Sequence, residues 1–242
     1  SREGSHCALG GDGQGMGLSQ FLGSSDRFSV RKARLFAVAC CRRIWSTLAD
    51  ERSKRLVEIT EQYADGLIGY VEVAAYDQHE KAEDCHTDKC GWWAVCYASV
   101  PGAGLQETIR ASRDAADAAA FAPCQETDND EDFGRLHALL YPLERAAQAE
   151  LLRDIFGPSP MRRCPLVPSL LAWNDGVVRT LARAAYDERL LPSGELDPTR
   201  LAILADALTD AGCTDAALLE HLRGPGPHVR GCHAVDWILQ KS

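Results

Sequence analysis

The sequence lacks any apolar run approaching the roughly 20 residues that a membrane-spanning helix needs. Its N-terminus has no apolar segment behind a basic start, so it does not resemble a secretory signal. It also lacks the alternation of apolar and polar residues that is typical of half-buried strands. These absences argue against a membrane partner, a secreted disulfide scaffold and a sheet. We expect a cytoplasmic protein built from helices.

Complete catalytic motifs are also missing. The glycines between positions 10 and 17 are not followed by the Gly-Lys-Ser/Thr that closes a phosphate-binding loop. A zinc protease needs His-Glu-x-x-His, but Glu83 stands where a histidine four residues after His79 would be needed. A carboxylate-bridged di-iron bundle needs two Glu-x-x-His pairs, and Glu83 with His86 forms one. The sequence therefore predicts no catalytic residue.

The composition is that of a globular domain. Of 242 residues, 45% are hydrophobic and 25% charged, and this length can bury a core without help from metal or disulfides. The ten cysteines are accordingly expected to act mainly as small buried side chains.

Helical periodicity dominates the chain, and we predict an all-α bundle of about 7–9 helices in two packed parts. Residues 1–25 are expected to be a flexible glycine-rich segment, or a remnant of processing or expression. A Pro-rich crossing loop at 158–168 should divide an N-terminal helical part, 26–157, from a C-terminal part, 169–242. The N-terminal part contains an acidic, variable middle.

Several helix boundaries follow from local signals. The apolar spacing predicts a helix over 30–48, and Asp50 should cap the next one. Asp197 with Pro198 marks another helix start. Proline in a helix interior removes a donor, so Pro142 should interrupt the helix over 133–156. The last helix is expected over 228–239.

Potential metal ligands crowd together between positions 79 and 90. Sulfur and imidazole are the ligands that zinc prefers, and His79, Cys85, His86 and Cys90 form a chemically reasonable set. Their spacing matches no zinc finger, ribbon or knuckle, and Cys85 with Cys90 lacks the Cys-x-x-Cys arrangement of redox thiols. The alternatives of a zinc site, a thiol pair and no site at all stay open.

A second candidate site lies near the C-terminus. Arg223, His228 and Arg230 surround the turn Gly224-Pro-Gly-Pro227, at the start of a predicted helix. Free amides at a helix start favour anions, so these side chains form a possible anion site. The alternative is a rigid turn in which His228 caps the last helix.

Charge is distributed unevenly. Between positions 26 and 55 the sequence has nine basic and three acidic residues, whereas between 72 and 132 it has fourteen acidic and four basic residues. The simplest interpretation is that the two segments pack together and balance each other. A nucleic acid partner is disfavoured by the pI of about 5.3 and the absence of a nucleic-acid motif.

Five blocks of the sequence resemble a family of uncharacterised helical proteins multiplied in planctomycete bacteria of the Gemmata type. The blocks are Leu35-Phe-Ala-Val-Ala-Cys-Cys-Arg-Arg-Ile-Trp45, Asp50-Glu-Arg-Ser53 with Tyr63-Ala-Asp-Gly66, Leu151-Leu-Arg-Asp-Ile-Phe-Gly157, Leu204-Ala-Asp-Ala-Leu-Thr-Asp-Ala-Gly212 and Gly224-Pro-Gly-Pro-His-Val-Arg-Gly-Cys232. The resemblance implies a bacterial, cytoplasmic, helical protein, but no activity or cofactor. It does not extend to residues 70–130.

These observations predict a non-catalytic interaction or scaffold module. It would bind a protein partner through its helical faces and the basic hairpin of its first two helices. The alternative function is zinc binding at His79, Cys85, His86 and Cys90.

Overall fold

A computed structural model of the protein describes residues 29–77, 89–100, 104–127, 129–157 and 168–241. These residues form α-helices joined by turns and short 3-10 segments. Within these ranges there is no strand, and extended pairing is limited to two isolated bridges, Leu190 with Glu195 and Glu195 with Val229. The predicted all-α class is confirmed.

The first part of the chain folds into helices whose starts follow from capping. The Ser29 hydroxyl accepts a hydrogen bond from the amide of Lys32, and the predicted cap Asp50 accepts one from the amide of Arg52. The helices are α1 Val30–Arg43, α2 Glu51–Ala64, α3 Tyr70–Asp77, α4 Lys89–Ser99, α5 Leu105–Phe121 and α6 Asp130–Phe156.

The second part begins at Pro168, and its helices are shorter. Asp197 accepts a hydrogen bond from the amide of Thr199, and Pro198 occupies the first helical position, as predicted. The helices are α7 Pro168–Ala172, α8 Val177–Asp187, α9 Pro198–Asp210, α10 Ala216–Arg223 and α11 His233–Leu239. The described ranges thus hold more than the predicted 7–9 helices, because a short helix such as α7 has too few residues to show a periodic stripe.

Pro142 does not interrupt its helix, contrary to the prediction. Helix α6 runs without a break for 27 residues with Pro142 inside it. Pro142 and Ala138, whose carbonyl group lies one turn earlier, are both exposed. Water can therefore hydrogen bond to the carbonyl that loses its intrahelical partner.

The last helix starts later than predicted. It begins at His233, whereas residues 224–232 form a turn. One amide and one carbonyl of this turn are held by other elements: Val229 donates to the carboxylate of Asp154 at 2.9 Å, and the carbonyl of His228 accepts a hydrogen bond from the amide of Leu196 at 2.8 Å. These contacts keep the segment extended and out of a helix.

Two clusters of buried apolar side chains form the core. One is built by α1 to α6, with Phe36, Leu56 and Ile155 among its members, and the other by α7 to α11, with Leu201 and Ile238. The predicted division into two parts is only partly right. Val229, from the turn before α11, packs into the first cluster, so the two sets of helices share a core boundary.

Basic side chains of helix α1 form ion pairs with buried carboxylates. Arg31 donates to Asp65 at 2.9 Å and to Asp236 at 2.6 Å, and both carboxylates are 1% exposed. Arg43 forms two 2.7 Å hydrogen bonds with Glu144. These acidic partners lie outside the acidic segment 72–132. Helices α4 and α5 of that segment pack against α1, but the carboxylates of its described residues form no ion pair with α1.

A second group of buried charges centres on Glu61 of α2, and we call it the Glu61 cluster. The Glu61 carboxylate accepts a hydrogen bond from Arg42 at 2.8 Å and another from Arg189. Arg230 lies 3.9 Å from the same oxygen. Because α1, α2 and the C-terminal part all contribute to the cluster, Glu61 joins the two parts of the fold.

No described helix combines the length and the apolar composition that a membrane crossing would demand.

Candidate metal centre

Four side chains from two distant stretches of the sequence converge at the end of α6. Asp154, His221, His228 and Cys232 each direct one potential ligand atom toward a common point, and these atoms all lie within 4.8 Å of one another. Cys232 is fully buried, Asp154 and His228 are nearly so, and His221 lies at the edge of a cavity. We call this group the Asp154 cluster.

Three local structures place these ligands. Asp154 lies in the last turn of α6, which ends at Gly157 in a left-handed conformation. His221 lies in the last turn of α10, and Cys232 immediately precedes α11. His228 belongs to the intervening turn.

The turn between α10 and α11 depends on glycine. Gly226 has a φ of 85°, and a Cβ atom built on it would lie 2.9 Å from the backbone nitrogen of His228. A residue with a side chain would therefore be strained there and would collide with the backbone that carries His228. Glycine at this position lets the chain reverse tightly enough to bring His228 back over Asp154.

Three distances within the cluster are close to those of a tetrahedral metal site. Oδ1 of Asp154 lies 2.8 Å from Nδ1 of His228 and 3.3 Å from Nε2 of His221, which lies 3.2 Å from Sγ of Cys232. Ligands around tetrahedral zinc are separated by about 3.3 Å for oxygen and nitrogen and about 3.6 Å for nitrogen and sulfur. All four ligand atoms lie within 4.8 Å of one another, so side-chain adjustments of about 1 Å would bring them to the separations that an ion requires.

The same geometry argues against a Cys-His-Asp catalytic triad. In a triad the histidine contacts the nucleophile through one ring nitrogen and the carboxylate through the other. Here Cys232 and Asp154 both approach Nε2 of His221. Burial and the nearby Asp154 charge also raise the pKa of the Cys232 thiol well above its usual value, so without a metal the sulfur stays protonated and unreactive.

Asp154 and His228 each stabilise the charged form of the other. Burial acts to raise the pKa of Asp154, but hydrogen bonds with His221, His228 and the Val229 amide outweigh it and lower that pKa. Burial acts to lower the pKa of His228, but the hydrogen bond to Asp154 and its charge outweigh it and raise that pKa. Without an ion, the carboxylate is therefore charged, and it favours a proton on its histidine partner.

Neighbouring groups orient the ligands as they do in known metal sites. Nε2 of His228 lies 3.3 Å from the carbonyl oxygen of Gly224, so a proton on Nε2 leaves the lone pair of Nδ1 directed at the centre. The second oxygen of Asp154 is held by the Val229 amide. The amides of Val235 and Ala234 hydrogen bond to the sulfur of Cys232, which favours its thiolate form.

His233 lies beside the cluster without joining it. Its Nδ1 is 2.8 Å from the backbone carbonyl of Asp154, and its ring centre is 4.2 Å from that of His221. Burial and the proximity of His221 lower the pKa of His233 to about 4. His233 is therefore neutral at pH 7. It donates a hydrogen bond to the backbone carbonyl of Asp154 and so holds that residue's backbone in position.

A cavity of about 680 Å³ opens next to the cluster. His221, His228 and His233 lie on one of its walls. Among the apolar lining residues are Leu218, Pro225 and Trp237, and Lys32 contributes a positive charge. The volume lies in the range of small-molecule sites.

The ligands predicted at 79–90 mostly lie outside the described residues. This applies to His79, Cys85 and His86. Cys90 is half-buried on α4 and packs against the first apolar cluster. Whether the four bind zinc together stays a prediction.

The predicted anion site is distributed over three environments. Arg223 donates to Asp206 on the surface, His228 belongs to the Asp154 cluster, and Arg230 is buried near Glu61. Anion binding by this set of residues stays an untested prediction. His228 is the residue of the set that the fold brings into a potential binding site.

Sequence reasoning overlooked the ligand set that the fold assembles. His221, His228 and Cys232 lie within twelve residues of one another, and this His-x6-His-x3-Cys spacing was the available signal. It was incomplete, because Asp154 lies 67 positions before the nearest of the other ligands and joins them only through folding.

Comparisons with known proteins found no matching protein family, no matching curated protein and no matching solved structure.

Proposed function

We propose that this protein binds one zinc ion through Asp154, His221, His228 and Cys232, and that the ion stabilises its fold. The observation that carries the proposal is the convergence of four ligand atoms within 4.8 Å, from α6, α10 and the turn before α11. A mixed set of one thiolate, two imidazoles and one carboxylate is a ligand set that favours zinc among common divalent ions.

A structural role follows from the number of protein ligands. Catalytic zinc sites usually keep one position for water or substrate, whereas four protein side chains close the coordination sphere. An ion here would link the end of α6 to α10 and α11. It would also neutralise a buried carboxylate and a buried thiolate, which are costly without a counter-charge.

Metal analysis tests this proposal. We expect protein purified without added metal to contain about one zinc ion per chain, and Cys232→Ser to weaken zinc binding by roughly 100-fold or more. Inductively coupled plasma mass spectrometry gives the stoichiometry, and competition with a chromogenic chelator gives the affinity. Visible and charge-transfer bands after cobalt substitution would report a tetrahedral site with a sulfur ligand.

The matched control is Cys213→Ser, which changes a cysteine of the same apolar cluster that is not part of the ligand set. It should retain its zinc. Metal-free wild-type protein that also fails to take up zinc would contradict the proposal. Zinc that survives Cys232→Ser but is lost in Cys90→Ser would instead place the ion at the predicted set near 79–90.

Zinc binding should strengthen as the pH rises. In the metal-free protein His228 and Cys232 both have raised pKa values, so the ion must displace protons from both. We expect the zinc-induced increase in thermal stability to grow between about pH 5 and pH 8. Differential scanning fluorimetry with and without zinc measures it.

When the metal is absent, the contribution of His228 to the stability of the fold should instead decrease as the pH rises. Because folding raises the pKa of His228, its contribution is fully present below the usual histidine pKa of 6.5 and is lost as the pH rises through the folded value. The lowered pKa of Asp154 adds stability above 3.8, which is lost as the pH falls through its folded value. A zinc effect that is independent of pH would contradict this assignment of protons.

A non-catalytic interaction module remains compatible with a structural ion. Such a role needs an ordered surface and no open coordination position. Leu139 and Leu143 lie one turn apart on α6 with their side chains 61% and 60% exposed, and they favour this second function. The basic hairpin is a weaker interaction surface than predicted, because Arg34 and Arg42 are buried.

A further inference from the structure

We propose that the cavity beside the Asp154 cluster binds a small organic monocarboxylate, with its carboxylate on Lys32 and its apolar body against Trp237. This goes beyond zinc binding and does not depend on it. The cavity volume of about 680 Å³ falls within the range of about 300–1,000 Å³ that is typical of small-molecule sites.

Lys32 is the charged group that the surrounding protein leaves unbalanced. Its ammonium nitrogen donates to the carbonyl oxygen of Ile155 at 2.7 Å. Among the described residues, no carboxylate lies within ion-pair distance of it. An ammonium group carries three donors, so two stay available to a ligand. Burial lowers the pKa of Lys32, which agrees with a cation that lacks a close anionic partner.

Several other charged residues that line the cavity have ion-pair partners. Asp236 is paired with Arg31, and Glu150 with Arg153. Lys241 lies 3.5 Å from Asp65. The proposed zinc centre also adds no net charge, because the two positive charges of the ion balance one carboxylate and one thiolate. Zinc binding therefore adds no net negative charge that could balance Lys32.

The charged residues that line the cavity indicate which class of ligand it would bind. One unpaired cation suits a single negative charge, and the acidic lining residues Asp215 and Glu220 disfavour a dianion such as phosphate. Trp237, Leu218, Pro225, Pro227 and Ala234 supply apolar surface on the same cavity. A carboxylic acid with an aromatic or branched apolar body matches both features.

Isothermal titration calorimetry with naphthoate and its neutral amide, naphthamide, tests the proposal on the protein as purified. Naphthoate should bind saturably, and naphthamide roughly tenfold or more weakly, because a charge-assisted hydrogen bond is lost. Lys32→Met should weaken naphthoate binding by a similar factor without changing zinc content. The control Lys54→Met, which removes a lysine paired with Glu51 on α2, should leave binding unchanged.

Equal affinity for naphthoate and naphthamide, or the absence of saturable naphthoate binding, would overturn the proposal. The contrast between acid and amide uses the wild-type protein, so it holds even if Lys32→Met does not fold. Zinc content is measured separately. Failure of the carboxylate site can thus be distinguished from failure of the zinc proposal.

Discussion

Removal of zinc with a chelator is expected to lower the midpoint of thermal unfolding by roughly 10 °C. An ion present at about a thousandfold excess over its dissociation constant contributes about 4 kcal/mol to folding. For a chain of this size each kcal/mol corresponds to about 2–4 °C. Loss of the ion also restores a protonated Cys232 and a His228–Asp154 pair in its place, so we expect the metal-free protein to stay folded.

Calorimetry of the protein before and after chelation and after return of zinc measures this effect. Return of zinc should restore the original midpoint. The internal control is Cys232→Ser, whose midpoint should already be low and should not fall further with chelator. An unchanged midpoint in chelated wild-type protein, with zinc shown to be absent, would mean that the ion does not stabilise the fold.

Glu61→Gln is expected to destabilise the protein by about 3–5 kcal/mol, since it removes the anion from a buried group of cations. The Glu61 carboxylate is 3% exposed and accepts hydrogen bonds from Arg42 and Arg189. Within the described residues, the buried Nε–H groups of both arginines have no acceptor. Without Glu61, two guanidinium groups and the nearby Arg230 would repel one another with little solvent to screen them.

Urea unfolding of wild-type protein and variants measures this difference. The matched control is Glu58→Gln on the same helix, because Glu58 pairs with Arg55 on the surface and such pairs contribute about 0–1 kcal/mol. A double substitution, Glu61→Gln with Arg42→Met, should recover part of the loss, because it also removes one of the stranded charges. Equal effects of Glu61→Gln and Glu58→Gln would refute the structural role of the cluster.

The helices that could be predicted are those with local signals. Asp50 and Asp197 mark helix starts because a carboxylate that accepts an amide hydrogen bond acts within three residues of chain. The start of α11 could not be predicted in this way. Residues 228–232 stay out of the helix because Asp154 and Leu196 bind their backbone, and those contacts exist only after folding. Pro142 was misjudged because its exposure, and hence the hydration of the carbonyl it leaves unpaired, depends on how α6 packs.

The candidate site could likewise be predicted only in part from local sequence signals. The region around His228 was singled out from its glycines, prolines and basic residues, but for an anion. The chemistry changes once Asp154 is known to lie 2.8 Å from the imidazole, since a buried carboxylate beside a histidine and a thiol favours a cation. Crowding of ligands in sequence drew attention to 79–90 instead. Ligand density along the chain and ligand density in space are different quantities, and the second depends on the fold.

The hydrogen bond between Arg31 and Asp236 has a consequence for synthesis of the chain. These residues are 205 positions apart, so α1 is made long before its second carboxylate partner exists. Contacts of such long range form late, because closing a large loop costs entropy before the contact can stabilise anything. On the ribosome, α1 can assemble with α2 through Asp65, but Arg31 lacks its second carboxylate partner until residue 236 has emerged. Completion of the fold is thereby delayed until translation has passed α11.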